Sequence, residues 1–307
     1  MNLWFVHACI LQGDCILSRN SRYIATRTVL LTVIAMLAFA ANSLLCRLAL
    51  GQELIDAATF TSVRVISGAV TLGLIMLFRR RTYDRGTADW RAVAMLFTYM
   101  AFFSFAYLSL SAGTGALILF GAVQLTMFFF ALREGEHFPF LSWAGLTLAV
   151  LGLIYLVSPG VTAPDPLGAI LMTIAGIAWG FYSLLGRGAT DPLGATARNF
   201  IYSVPLVLIV SLFFMGDFSS SSNGLALAVV SGAIASGCGY VIWYAALPGL
   251  TAIRAATVQL SVPAIAAFGG VAMLSEQITL RLLLASVVTL GGVAIVLAQR
   301  AAKASKS

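Results

Sequence analysis

IAMLAFAANSLLCR (residues 34–47) returns 140 positions later as IAGIAWGFYSLLGR (174–187), with Ile34, Ala35, Ala38, Ser43, Leu44, Leu45 and Arg47 unchanged and Phe39 facing Trp179. The same offset, without gaps, pairs Ala57 and Phe60 with Ala197 and Phe200. It also aligns AYLSLSAGTGA (106–116) with ALPGLTAIRAA (246–256), Glu136 with Glu276 and Gly152 with Gly292. Matches between Leu and Ala arise easily in any two apolar sequences. Matches at Ser, Arg and Glu in one register do not. The chain is therefore read as a duplication.

The duplicated unit is a membrane unit. Of the 307 residues, 60% are hydrophobic and only 9% are charged, against roughly 25% charged in soluble domains. Crossing roughly 30 Å of hydrocarbon takes about 20 apolar residues in a helix. Such runs fall near 28–50, 56–78, 91–110, 112–131 and 140–158, and again near 167–187, 194–216, 225–246, 251–274 and 280–298. SPGVTAPDP (158–166), with three prolines, separates the two sets. The expected fold is thus an all-α integral membrane bundle of ten transmembrane helices. Residues 1–27 form an N-terminal tail, 28–158 and 167–298 the two five-helix repeats, and 299–307 a basic tail.

Five is an odd number, so the second repeat enters the membrane from the side opposite to the first. Lys and Arg placement gives the orientation. With the N-terminus in the cytoplasm, 15 basic residues fall inside, Arg47 and Arg281 fall outside, and Arg64 lies within a span. The net charge of +7 then reads as a topology signal and a contact with anionic lipid, not as a nucleic-acid surface. Residues 1–27 make a poor signal peptide, because Leu3–Leu11 precedes its nearest positive charges. The tail predicts no fold, and the true start of the chain could lie downstream of Met1. Cys9, Cys15, Cys46 and Cys238 show no metal or C-x-x-C spacing and read as inert thiols.

Several residues carry a further resemblance. TVQLSVPAIAAFGGVAMLSEQITL (257–280) sets Pro263 thirteen residues before Glu276. LFGAVQLTMFFFALREGEHF (119–138) has Val123 where that proline would stand, before Glu136. With FTSVRVISGA (60–69) and NSLLCR (42–47), these segments resemble the EamA-type family of the drug/metabolite transporter superfamily. The resemblance implies a bacterial secondary transporter of small metabolites, many of whose relatives export amino acids. It also implies a central cavity among spans 1–4 and 6–9, with spans 5 and 10 outside it. The valine at 123 leaves the helix break of the fourth span in question.

Arg64 lies about 12 Å along its span at about 1.5 Å per residue. An arginine there costs about 2.5–3.5 kcal/mol on insertion scales, so it should face the bundle interior and have a partner. It could bind a substrate carboxylate or phosphate, or tie carbonyls freed by a broken neighbouring helix. Its repeat position is Val204. Asn42, Gln124, Asn199 and Gln259 could bind substrate or join helices. Among the aromatics of spans 6 and 8, Trp179, Tyr182 and Trp243 are cavity candidates. Trp179 and Trp243 each take a position held by Phe in the other repeat. Glu136, Glu276 and Pro263 sit where a gate or a helix end would be. Gly145, Ala149 and Gly152, mirrored by Ala285, Thr289 and Gly292, read as close helix packing.

Catalysis finds little support. The two histidines, His7 and His137, lie in the tail and a loop, and no nucleophile elbow, phosphate-binding glycine loop or metal cluster is present in the sequence. No cofactor is expected. The expected function is alternating-access transport of a small metabolite, with export favoured, across the bacterial inner membrane with both termini cytoplasmic. A membrane scaffold or sensor, or a lipid-modifying enzyme, are the alternatives.

Overall fold

A computed structural model describes residues 3–78, 89–135, 137–186, 189–250 and 252–304. Among the described residues, ten helical spans cross the bundle. The first repeat contributes α1 (Leu3–Gly51), α2 (Ala57–Phe78), α3 (Trp90–Ala106), α4 (Ala112–Arg133) and α5 (Phe140–Val157). The second contributes α6 (Pro166–Leu185), α7 (Pro192–Phe213), α8 (Ser222–Gly249), α9 (in two pieces, Ala252–Gln259 and Ser261–Leu274) and α10 (Leu280–Ala304). Nine of these have the length and hydropathy of a membrane span, and α3 is the shorter tenth. Its 17 residues reach only about 26 Å at 1.5 Å per residue. Four successive turn hydrogen bonds, from Tyr107, Leu108, Ser109 and Leu110 back to carbonyls of its last residues, carry the chain on to Ser111.

The segment before the first span, expected to have no fold, is helical and continuous with α1. It contains no proline to stop the helix. The fourth span is unbroken, as a valine in place of proline allows. The ninth breaks at Leu260, and Pro263 is the third residue of the piece that follows. A missing N–H there falls in a first turn, where the helix has no internal acceptor to lose.

Helix packing is symmetric under exchange of the repeats. α1 packs on α8 and α9 as α6 packs on α3 and α4; α2 meets α7, α4 meets α9, and α5 meets α10. These contacts exchange with one another, or map onto themselves, across a pseudo-two-fold axis. Five spans per repeat then make the two repeats antiparallel in the membrane, the arrangement known as inverted repeats.

The α5–α10 contact shows the symmetry at atomic scale. A Cβ on Gly152 would lie 2.4 Å from Thr289 Oγ1 and 3.2 Å from the Ala285 carbonyl. A Cβ on Gly292 would lie 2.4 Å from the Gly145 carbonyl and 2.6 Å from Ala149 N. Each glycine thus faces the repeat counterparts of the residues that the other faces. Small residues let the two backbones approach where no hydrophobic force drives helices together. The outer faces of these helices carry exposed Leu148, Leu151, Ile154, Leu283 and Val287, the surface that hydrocarbon covers.

Gly152→Leu should lower the melting temperature in detergent, by an overpacking cost of about 1–3 kcal/mol. Gly291→Leu, at a glycine with nothing within 4 Å of its added Cβ, should leave it unchanged. Equal melting temperatures for the two variants would contradict the packing described.

Candidate functional site

A small pocket lies where the repeats meet. It is lined by Phe39, Asn42 and Ser43 of α1, Tyr99 and Phe103 of α3, Leu119 and Phe120 of α4, Trp179 of α6, and Ala235, Ser236 and Tyr240 of α8. Phe39 and Trp179, which share one repeat position, both reach it, so it straddles the pseudo-two-fold axis. α5 and α10 supply no lining residue. Tilted and stacked rings form one wall: Trp179 lies 4.8 Å from Tyr99 and 5.4 Å from Tyr240, the latter at an interplanar angle of 18°. Room for a water's centre inside is about 20 Å³. One water needs roughly 10–15 Å³ by that measure, so admitting a metabolite requires the walls to part.

Arg64 sits directly behind this wall. It is fully buried on α2. Nη2 donates to Tyr99 Oη at 3.2 Å and to Ser236 Oγ at 3.5 Å, and Nε donates to Ser236 Oγ at 3.4 Å. The guanidinium carbon lies 4.8 Å from the Phe103 ring centre and 5.5 Å from that of Tyr99. These cation–π contacts offset part of the burial cost. Nη1 has no hydrogen-bond partner among the described residues. The recorded partners are hydroxyls and rings, not carbonyls of a broken helix, and no acid lines the pocket.

Ser236 reaches Arg64 because α8 is not α-helical throughout. Ser231–Cys238 is a π-helical segment, in which i→i+5 bonding widens the turn. At 3.6 residues per turn, residues five apart would point about 140° apart; the wider turn brings them back toward one side. Ser231 accordingly donates to Asn42 Oδ1 at 2.7 Å while Ser236 meets Arg64. Between them, Gly232 lets α8 press on α2, since a Cβ there would lie 2.1 Å from the Arg64 carbonyl oxygen. The Ser/Gly-rich run SGAIASGC (231–238) was the sequence signal for this contact.

Of the sequence candidates, the structure brings Asn42 and Trp179 to the pocket and places Arg64 one layer behind it. Trp243 lies edge-on to Phe39, 5.9 Å away, and does not line it. Tyr182 stacks on Trp179 but turns its hydroxyl toward Thr196 (3.3 Å) and Asn199 (3.4 Å). Gln124 is buried with an unpartnered Nε2, away from the pocket, and Gln259 ends the first piece of α9. Glu136 lies outside the described residues. Tyr99, Phe103 and Ser236 line the pocket without having been singled out. A tyrosine in the middle of a span was the available clue.

Glu276 caps a helix, but not its own. Its carboxylate accepts from Ala112 N at 2.9 and 3.2 Å, at the start of α4, and from Arg47 Nε at 3.1 Å. A carboxylate is favoured at a helix N-terminus. Arg47 also donates to the Tyr107 and Leu108 carbonyls just past α3. The loop between α5 and α6 is held on the same face by Arg281, which donates to the Ser158 and Leu156 carbonyls. Asp56 and Ser221 similarly tie the α1–α2 and α7–α8 loops together. This face is laced shut. Arg47 and Arg281, the two basic residues that depart from the charge bias, are both spent on it.

Two inverted five-helix repeats closing on a shared pocket define a membrane transporter. The profile of the EamA-like transporter family matches residues 26–158 and 166–298, and the chain belongs to that family. An uncharacterised protein of Pseudomonas aeruginosa is 50% identical over 91% of this chain and 98% of its own length. The uncharacterised transporter YoaV of Bacillus subtilis is 20% identical over 76% of this chain and 85% of its own. The uncharacterised inner membrane transporter YedA of Escherichia coli is 30% identical over 33% of this chain. A solved crystal structure shares the fold at a TM-score of 0.62 and 17% identity, across 87% of this chain and 97% of that one.

Glu276→Gln should loosen the laced face. In a background lacking the native cysteines, Ser43→Cys should then react several-fold faster with a small thiol reagent. An unchanged labelling rate would show that the Arg47–Glu276 pair does not restrict access to the pocket.

Proposed function

We propose that the protein is a secondary carrier that moves a small metabolite, an amino acid or a related compound, by alternating access. The observation that carries this reading is the pocket formed by both inverted repeats at their pseudo-two-fold axis. Two packings related by such an axis have similar energies and open a shared site to either side in turn. The laced loops close one side, and the pocket at the centre is near water-sized, which fits a state closed toward that face.

The membrane is the bacterial inner membrane, with both termini in the cytoplasm, as the distribution of Lys and Arg supports. The laced face then looks outward, and export is the favoured direction. The partners of this reading are the small-molecule substrate and the lipid bilayer, and it requires no cofactor.

Purified full-length protein in liposomes should give saturable flux of a labelled amino acid that unlabelled relatives compete away. Conductance that rises linearly with concentration would replace the carrier by a channel. No flux for any member of a broad metabolite panel would favour a scaffold or sensor. A green fluorescent protein fused after Ser307 should fluoresce, whereas an alkaline phosphatase fusion there should be inactive; the reverse would invert the topology.

A further inference from the structure

Five side chains with oxygen-bearing polar groups line the pocket, Asn42, Ser43, Tyr99, Ser236 and Tyr240, beside the indole N–H of Trp179, and none is acidic. Two of them have their hydrogen-bond direction fixed from behind. A guanidinium only donates, so the Tyr99 and Ser236 oxygens act as acceptors toward Arg64. Each hydroxyl keeps its own proton to donate elsewhere. Among the described residues, neither is recorded donating to a protein acceptor. Asn42 is oriented in the same sense: its Oδ1 is taken by Ser231 at 2.7 Å, leaving the amide protons. Tyr99, Ser236 and Asn42 therefore turn donors to the pocket.

The charge behind the wall is uncompensated. Among the described residues Arg64 forms no ion pair; the salt bridge found there joins Arg47 to Glu276. Its Nη1 is buried and unpartnered, and a buried cation left in that condition is costly. Low-dielectric walls carry its field into the pocket instead of screening it. A negative group placed against the two hydroxyls would meet donors aligned toward it and a compensating charge one side chain away. One guanidinium with no second cation matches a single negative charge. The opposite wall, made by the Trp179–Tyr240 stack and Phe39, offers ring faces to an apolar body.

We infer that the pocket is a carboxylate site. Tyr99 and Ser236 donate to the carboxylate of a small organic monocarboxylate, Arg64 supplies charge through them, and the aromatic wall holds the apolar remainder. An α-ammonium on such a molecule would lie against ring faces. The inference rests on the pocket being the substrate site of the proposed carrier. It goes further in naming the charge of the substrate and in giving the direct contacts to Tyr99 and Ser236, with Arg64 as their positioning residue.

The test is calorimetric binding to purified full-length protein. The ligands are monocarboxylates running from acetate to phenylacetate and indole-3-acetate, each beside its neutral amide, with phenethylamine and phenylphosphonate as cation and dianion. The acids of suitable size should bind on the order of tenfold or more tightly than their amides, the gain expected of a hydrogen bond to a charged group. The amine and the phosphonate should bind more weakly than phenylacetate. Tyr99→Phe, which keeps the ring, and Ser236→Ala should each weaken acid binding about tenfold and leave amide binding unchanged, with the melting temperature confirming folded protein.

The inference falls if no acid binds more tightly than its amide, or if both variants bind acids like the parent. Flux measurements separate this from the carrier reading. Saturable transport of neutral or cationic metabolites without carboxylate preference sinks the site assignment and leaves the carrier. Carboxylate binding without transport of any bound acid sinks the carrier and leaves the site.

Discussion

Hydrocarbon offers a backbone no partner for its N–H and C=O groups, and each group left unpaired there costs several kcal/mol. Every span must therefore satisfy itself along its own helix, and irregular backbone survives only where protein surrounds it. Two departures from α-geometry within the spans show this. The π segment of α8 is enclosed by α1 and α2, with Ser231, Gly232, Ser236 and Gly237 buried. The break at Leu260 in α9 retains a turn bond from Leu260 N to the Thr257 carbonyl, and Pro263 removes a donor from the one place in the new helix where none is needed. Irregularity in this bundle lies where helices meet one another, and at α8 it lies at the pocket.

A symmetric frame around an asymmetric charge follows from the same constraint. The inverted repeats reproduce each other's contacts down to Gly152 and Gly292 across α5 and α10. At the centre they diverge: Arg64 in one repeat is Val204 in the other. Burying one guanidinium in hydrocarbon is expensive, and the bundle meets the expense with two hydroxyls and two ring faces, not with an acid. A carboxylate partner would have neutralised the centre of the bundle. Hydroxyls leave it positive.

The loops on one face are bound across the repeats by charged groups in the same economical way. Glu276 satisfies an N–H of α4 while holding Arg47, and Arg47 in turn satisfies carbonyls at the end of α3. Helix ends at a membrane surface need such partners. Because Glu276 comes from the repeat opposite to Ala112 and Arg47, the pairing that caps α4 also ties the two repeats together.

Length of apolar runs, the duplication at a fixed offset, the odd number of spans and the depth of Arg64 were all legible in the sequence, because bilayer thickness and desolvation act on one helix at a time. That the fifth and tenth spans pack closely against a neighbour was legible too, since close approach favours glycine at helical spacing; that they pack on each other was shown only by the structure. The pocket was not. Trp179 and Trp243 looked alike as sequence, yet only the first lines it. Tyr182 turned its hydroxyl toward Thr196 and Asn199, and Tyr99 and Ser236 went unmarked. In water a helix shows its buried face as an apolar stripe, but in lipid both faces are apolar and the stripe disappears. Which side of each span meets protein was decided only by packing, and the π turn that brings Ser236 to Arg64 is a change of helical phase that spacing in the sequence does not display.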